Sequence, residues 1–274
     1  LNRTTRQFSL TEAGHTYFAR SSEIIREIDS LADAVRESAR DVRGRIKLSA
    51  PRTFADVEIG QSLIDFAKAY PDIVLEIHLD DRFVDLVEEG FDLAIRVTRL
   101  ENSSLIARKL APFSIRLCAS PELIEKSGQP VKPQDLANLP CIIDTNGRWL
   151  SNWPFIGDNG GTVSVAVSGP IEVNSPLTAK AAALSGLGFA ILPDFIAAEE
   201  VESGRLVTVL DRYICTEGSG IFAVYPHRRY LPAKVRVLVD FLVRWFKRCD
   251  PDWLPLSARD AKPDVPVSQD VEVP

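Results

Sequence analysis

Two short polar segments carry the residue types that bind small anions. Pro51-Arg52-Thr53-Phe54 follows the first predicted strand, and Asn174-Ser175-Pro176 precedes an alanine-rich segment that is predicted to be helical. A guanidinium, hydroxyl groups and the free backbone N–H groups at the start of a helix all favour negative charge. If the two segments face each other, they form a site for a small organic anion, and we expect a carboxylate.

Further residues are expected at the same cleft. Val97 and Thr98 lie at the end of the third predicted strand, where Thr98 offers another hydroxyl. Phe54 and Phe189 are expected to supply an apolar wall, because binding pockets combine apolar surface with a few polar groups.

Each of these residues also has a purely structural interpretation. Thr53 and Ser175 belong to the types that cap helices, and Arg52 could be a solvated surface charge. Phe189 could lie in the core, as most phenylalanines do. Their convergence on two helix starts is the reason for preferring the binding interpretation.

Catalytic chemistry has little support in the sequence. The three histidines, His15, His78 and His227, fall in a predicted helix, a strand and a loop, and no nucleophile elbow, Walker motif or dinucleotide fingerprint accompanies them. Asp80-Asp81 and Glu88-Glu89 are interpreted as solvated faces. We therefore predict no catalytic residue, no metal site and no cofactor.

The four cysteines are far apart and form no CxxC pair, so neither a zinc site nor a dithiol motif is encoded; they are Cys118, Cys141, Cys215 and Cys249. They are interpreted as small buried apolar residues. A redox sensor would need a reactive thiol pair, and nothing near Cys118 or Cys141 in the sequence lowers a thiol pKa.

The elements that must position the cleft form two α/β lobes. In the first lobe, a strand from Ile46, a strand from Ile73 to Leu79 and a strand from Phe91 to Val97 alternate with helical spacing. The second connecting helix is predicted to be short, from Val84 to Val87, and closed by Gly90. This β-α-β-α-β order predicts a parallel sheet with helices on its faces.

A second lobe is predicted from Ala119 onward. The expected elements are a helix over 177–185 ended by glycines 186 and 188, a strand over 189–192, a helix over 194–202 and a strand over 206–210. A strand over 221–225 and an amphipathic helix over 233–247 follow.

One long helix is predicted near the start of the chain. Thr11 offers an N-cap, and no helix breaker appears until Gly44. A heptad seam runs along this helix through Tyr17, Ser21, Ile24, Ile28, Leu31, Val35, Ser38 and Val42. We expect dimerisation through Tyr17, Ile24, Ile28, Leu31 and Val35, since the opposite face is charged. The alternative is an amphipathic helix lying on its own domain.

Composition bounds the remaining possibilities. The 274 residues are 45% hydrophobic and 26% charged, and the net charge of −6 argues against a folded body that binds nucleic acid. A basic run that includes Arg3, Thr4 and Arg6 lies at the start of the chain. No apolar run approaches the roughly 20 residues that cross a bilayer, so a cytoplasmic protein without membrane contact is expected.

Several segments in order resemble the LysR family of bacterial transcriptional regulators, in particular its CrgA-like subgroup. Residues 1–6 with Leu10-Thr11-Glu12-Ala13-Gly14 resemble the family's wing hairpin and linker-helix opening. Ser49-Ala50-Pro51, Tyr70-Pro71-Asp72, Val84-Asp85-Leu86-Val87 with residues 90–96, residues 186–190 with Pro193, and Gly204-Arg205-Leu206 extend the resemblance.

The resemblance implies an α/β regulatory domain of two subdomains, similar to periplasmic solute-binding proteins, with a small effector between them. It also implies a homodimer or homotetramer, and DNA binding through a helix-turn-helix that is missing here. In that complex, Arg3, Thr4 and Arg6 of the basic run are expected to contact DNA phosphates. With a leucine first and no methionine, the chain is expected to be truncated at its N-terminus.

The expected divisions are 1–44 for wing and linker helix, 45–118 with 226–250 for subdomain I, 119–225 for subdomain II, and 251–274 for a disordered acidic tail. The alternative is a stand-alone small-molecule binding protein or a two-lobe enzyme without a DNA role.

Overall fold

The computed structural model describes residues 2–4, 7–9, 11, 13–14, 16–17, 20–21, 24–25, 42–81, 84–99, 105–146, 149–214, 219–226 and 231–248. The predicted acidic tail, Arg6 and the seam residues Ile28, Leu31 and Val35 lie outside these residues. Within them, no helix is long and apolar enough to cross a membrane.

The chain opens with a hairpin and a helix. Strand β1 (Asn2–Thr4) pairs antiparallel with β2 (Gln7–Ser9), with Arg3 opposite Phe8. The Thr11 hydroxyl accepts a hydrogen bond from the Gly14 N–H at 3.2 Å, which confirms the predicted N-cap. The seam residues Tyr17 and Ile24 are 76% and 57% exposed, so the chain's own domains do not cover them.

Lobe I contains a mixed five-stranded sheet in the order β4-β3-β5-β14-β6. Its strands are β3 (Gly44–Ala50), β4 (Ile73–Leu79), β5 (Leu93–Arg99), β6 (Leu105–Pro112) and β14 (Ser219–Pro226). Strand β3 pairs parallel with β4 and β5, as the predicted parallel sheet requires. Strand β14 instead runs antiparallel to both β5 and β6. The prediction missed this because β6 leads out of the lobe and β14 returns to it.

Three helical segments and one long helix cover one face of this sheet. Helix α1 (Arg52–Phe54) continues through a π-helical turn (Ala55–Ile59) into α2 (Gly60–Ala69), and α6 (Ala233–Arg248) closes the layer. Their apolar faces join those of β3 and β5 in one core; its fully buried members include Ile46, Leu48, Phe66, Leu238 and Leu242. The last helix therefore packs on the sheet of the first lobe.

The predicted helix from Val84 to Val87 is a run of turns instead. The Asp85 carboxylate accepts hydrogen bonds from the N–H groups of Val87 and Glu88, each at 2.9 Å. Gly90 follows in the left-handed region at φ 71°. An aspartate that binds the backbone two residues ahead stabilises a turn at the expense of a helix.

Lobe II contains a five-stranded sheet in the order β11-β8-β12-β7-β13. The strands are β7 (Ile115–Ala119), β8 (Pro140–Asp144), β11 (Ser168–Val173), β12 (Phe189–Pro193) and β13 (Val207–Thr208). Helices α3 (Pro121–Ser127), α4 (Pro176–Leu184) and α5 (Asp194–Glu202), with the hairpin β9 (Asn152–Ile156) and β10 (Thr162–Ala166), cover its two faces. Two apolar cores result, one on each face.

The strands that connect the lobes fall at different places from those predicted. Strand β7 belongs to the second sheet and begins before the expected division at Ala119, whereas β14 belongs to the first sheet although most of it was assigned to the second lobe. The outgoing connection is Phe113 and Ser114, and the Ser114 carbonyl accepts a hydrogen bond from the Asp194 N–H at 3.0 Å. Strand patterns locate strands but do not show which sheet each strand joins.

Candidate functional site

A cavity of about 500 Å³ lies between the two lobes. Residues of both sheets and of the segments that follow their strands contribute to its wall. The lining residues are Pro51, Thr53, Phe54, Asp81, Arg96, Val97, Thr98, Phe113, Ile115, Ile142, Asp144, Asn146, Trp149, Leu150, Trp153, Pro154, Thr162, Pro176, Ile191, Pro193, Phe195 and Ser219. This volume suits a small organic molecule.

The wall from lobe I includes four of the residues singled out in the sequence. Thr53 and Phe54 lie in the first helical turn after β3 and are both buried, while Val97 and Thr98 line the cavity from β5. They come together because the carboxyl ends of neighbouring parallel strands meet at one edge of a sheet.

The wall from lobe II combines one predicted residue with several that were missed. Pro176, the first residue of α4, lines the cavity as expected. Trp149, Leu150 and Trp153 also face it, and the Trp153 ring N–H donates to the Leu150 carbonyl at 3.0 Å. None of these three residues was singled out from the sequence.

Four predicted residues do not line the cavity. The Arg52 guanidinium is exposed and donates to the Leu79 carbonyl at 2.8 Å. Ser175 caps α4, because its hydroxyl accepts a hydrogen bond from the Thr178 N–H at 3.3 Å. Asn174 is exposed, and its carbonyl accepts a hydrogen bond from the Asn146 amide. Phe189 is fully buried in the core of lobe II, so the aromatic wall consists of other residues.

Among the arginines that the structure describes, Arg96 lines this cavity. It lies in the middle of β5, is 9% exposed, and its guanidinium donates to the Val84 carbonyl at 3.4 Å. A charged residue inside the apolar run Leu93-Ala94-Ile95-Arg96-Val97 is a signal that the sequence offered, since charged residues are rarely buried without a role.

Two carboxylates also line the cavity, one from each lobe. Asp81 follows β4 and accepts a hydrogen bond from the Arg52 N–H at 3.0 Å. Asp144 ends β8 and accepts one from the Asn146 N–H at 2.9 Å. The interpretation of Asp80-Asp81 as a solvated face therefore holds for Asp80, which is exposed, and is wrong for Asp81, which is half-buried.

Burial raises the pKa of both carboxyl groups above the usual range for aspartate. For Asp81, the loss of solvation outweighs the opposing hydrogen bond from the Arg52 backbone. For Asp144, burial and the charge of Asp81 raise the pKa, whereas the Asn146 N–H lowers it. Among the described residues, no group of three or more histidine, cysteine, aspartate or glutamate side chains is arranged to hold a metal ion.

Aromatic rings join the two lobes beside the cavity. The ring of Phe54 from lobe I contacts the ring of Phe195 from α5, with centroids 5.4 Å apart. The ring centroid of Phe113, which belongs to the outgoing connection, lies 6.5 Å from that of Phe195. All three residues line the cavity, so the contact between the lobes is also part of the site.

Comparison with known proteins shows an extensive match. A family model described as the LysR substrate binding domain matches residues 39–247. The HTH-type transcriptional regulator DmlR of Escherichia coli K12 is 33% identical over 254 residues, which represent 92% of this chain and 82% of DmlR.

Solved structures agree with the sequence match. CrgA, a LysR-type transcriptional regulator from Neisseria meningitidis, superposes with a TM-score of 0.64 and is 28% identical, covering 89% of this chain and 83% of that one. The Vibrio cholerae virulence activator AphB superposes with a TM-score of 0.63 and is 29% identical, covering 89% of this chain and 82% of that one.

Proposed function

The chain belongs to the LysR family of transcriptional regulators, and from this membership we propose that it senses a small organic effector bound between its two lobes. The observation that carries the proposal is the cavity of about 500 Å³, to which both lobes contribute side chains. A ligand that contacts both lobes binds one relative arrangement of them better than others. It can therefore shift the population of arrangements by its differential affinity.

The expected carboxylate class depends on Arg96 rather than Arg52. The Arg52 guanidinium lies outside the cavity, whereas Arg96 lines it together with Thr53, Thr98 and Ser219. A guanidinium and three hydroxyl groups can donate hydrogen bonds to a carboxylate in a partly desolvated space. These groups support the carboxylate as part of the effector.

We propose that regulation by this sensing domain requires the assembly of two or more copies of the chain and their binding to DNA. The exposed positions Tyr17 and Ile24 begin the predicted seam, which would join two copies into a homodimer or part of a homotetramer. The effector signal would then pass to DNA through this dimeric framework. The protein would act without catalysis.

A ligand screen with a blocked cavity tests the sensing role. Thermal unfolding would be recorded with a panel of small organic acids, amines and neutral compounds. The variant Thr98→Trp places a bulky ring in the cavity, and Thr178→Trp makes the same exchange at an exposed position of α4. A ligand at about 100 times its Kd stabilises by about 2.7 kcal/mol, which is easily measured.

The expected result is stabilisation of the wild type and of Thr178→Trp but not of Thr98→Trp. A panel in which every active compound stabilises Thr98→Trp equally would place binding elsewhere. A panel without any active compound would also count against the proposed function.

A further inference from the structure

The carboxylates of Asp81 and Asp144 give the cavity a feature that a purely anionic effector does not explain. Asp81 follows strand β4 of lobe I, and Asp144 ends strand β8 of lobe II. Asp144 is therefore at the carboxyl end of a strand and Asp81 just beyond one, in the region where α/β sheets bind ligands. The two residues line the same cavity from opposite lobes.

Within the described part of the chain, neither carboxylate forms an ion pair. Among the residues that the structure describes, no side-chain nitrogen of a lysine, arginine or histidine lies within 4.0 Å of either carboxylate, although other acids of the chain have such partners. Each accepts one backbone hydrogen bond. The charge of Arg52 lowers the pKa of Asp81 but does not cancel the effect of burial. A carboxylate partly removed from water without an ion-pair partner destabilises the site, so these groups favour a cation.

The surrounding wall suits an organic cation. Phe54, Phe113, Trp149 and Trp153 supply aromatic and apolar surface, and Trp149 remains partly exposed toward the cavity. Aromatic rings attract ammonium groups through their negative faces, and they exclude water from the ion pair. A hydrated inorganic ion would gain little from such a wall.

We propose that the effector carries a cationic amino group that binds between Asp81 and Asp144. This inference rests on the proposed effector cleft and specifies the chemistry of its ligand. A single ammonium between the two carboxylates joins lobe I to lobe II, and removes the repulsion between two negative groups. A carboxylate on the same molecule would have a partner in Arg96, which lines the same cavity.

Matched ligands test this inference. Three compound series share a phenylethyl, an indolylethyl or a butyl tail, and each is offered at millimolar concentration as the amine, the alcohol and the carboxylate. Phenylalanine and norleucine add both charges to one molecule. Thermal unfolding is recorded for the wild type, Asp81→Asn, Asp144→Asn and the control Asp158→Asn, whose exposed side chain does not line the cavity.

The expected result is that at least one amine or amino acid raises the unfolding temperature by about 3 °C more than its alcohol does. This excess should disappear in both Asp81→Asn and Asp144→Asn and persist in Asp158→Asn. The inference is overturned if no cationic compound exceeds its neutral analogue, or if the excess survives both cavity substitutions.

The variant Thr98→Trp separates this outcome from failure of the cleft itself. If alcohols or carboxylates stabilise the wild type but not Thr98→Trp, the effector cleft stands and the cationic group is rejected. If the amine excess also persists in Thr98→Trp, binding lies outside the cavity and both proposals are rejected.

Discussion

Phe54 of lobe I packs with its ring edge against Phe195 of lobe II, at 5.4 Å between centroids and 66° between planes. Phe54 is buried in the first core, and Phe195 packs against that same core although it belongs to α5 of the other lobe. Because both rings also line the cavity, a ligand that touches them acts directly on the contact between the lobes.

Removing either ring should therefore destabilise the protein, and the losses of stability from the two substitutions should not be additive. We expect Phe54→Ala to cost about 3 to 5 kcal/mol, since it empties a core position, and Phe195→Ala to cost less. A double-mutant cycle from urea unfolding should give a coupling of about 0.5 to 1.5 kcal/mol. Strict additivity of the two losses would show that the rings do not interact.

The thiols of Cys118 and Cys141 should be unreactive in the folded protein. Both are fully buried, and burial raises the pKa of each thiol to about 12. Only the thiolate is nucleophilic, so Ellman's reagent at pH 8 should not label a Cys215→Ser/Cys249→Ser variant until denaturant is added. Rapid labelling without denaturant would restore the redox-sensor hypothesis.

The regular elements could be predicted from the sequence because their signals are local. The helix over Asp194–Glu202 and the strand over Ile73–Leu79 were predicted with the observed bounds, and Thr11 was identified as a cap. Apolar spacing and a capping hydroxyl depend on neighbouring residues alone.

The site was predicted less completely because its geometry is not local. Val97 and Thr98 line the cavity as expected. The Arg52 guanidinium instead donates a hydrogen bond to the Leu79 carbonyl and lies outside the cavity. No sequence pattern shows which way a long side chain leaves a turn. Asp144 could have been found, since it ends an apolar strand where ligands bind in such sheets.

The heptad seam should determine the assembly. Replacing Ile28 and Leu31 with glutamate should lower the mass measured by sedimentation, because like charges would face each other across a coiled coil. The control places the same two glutamates at Arg26 and Arg36 on the charged face. An unchanged mass for the seam variant would mean that the seam does not pair two chains.

The charge of Asp144 should make stability depend on pH. Burial raises its pKa in the folded state, so the folded protein holds the proton more tightly than the unfolded chain. Its stabilising contribution is complete below the unfolded pKa of about 3.9 and is lost as pH rises through the folded pKa. The free energy of unfolding of Asp144→Asn should therefore increase relative to that of the wild type as pH rises.

Urea unfolding between pH 4 and pH 8 measures this difference, with Asp158→Asn as the control. A gap between Asp144→Asn and the wild type that stays constant over this range would show that the folded pKa is not raised.

Thr53 and Ser175 were predicted from the sequence to play equivalent roles as hydroxyl groups. Substitution by alanine should affect ligand affinity at Thr53 and protein stability at Ser175. Thr53 is buried and lines the cavity, so Thr53→Ala should weaken the binding of cavity ligands by about tenfold, as expected for one lost hydrogen bond. Ser175 caps α4 and does not line the cavity, so Ser175→Ala should cost about 1 kcal/mol of stability and leave affinity unchanged. Titration calorimetry with a ligand from the screen, combined with urea unfolding of both variants, measures the two effects separately. Because the capping hydroxyl acts on the helix alone, loss of ligand affinity in Ser175→Ala would mean that the start of α4 contacts the effector after all.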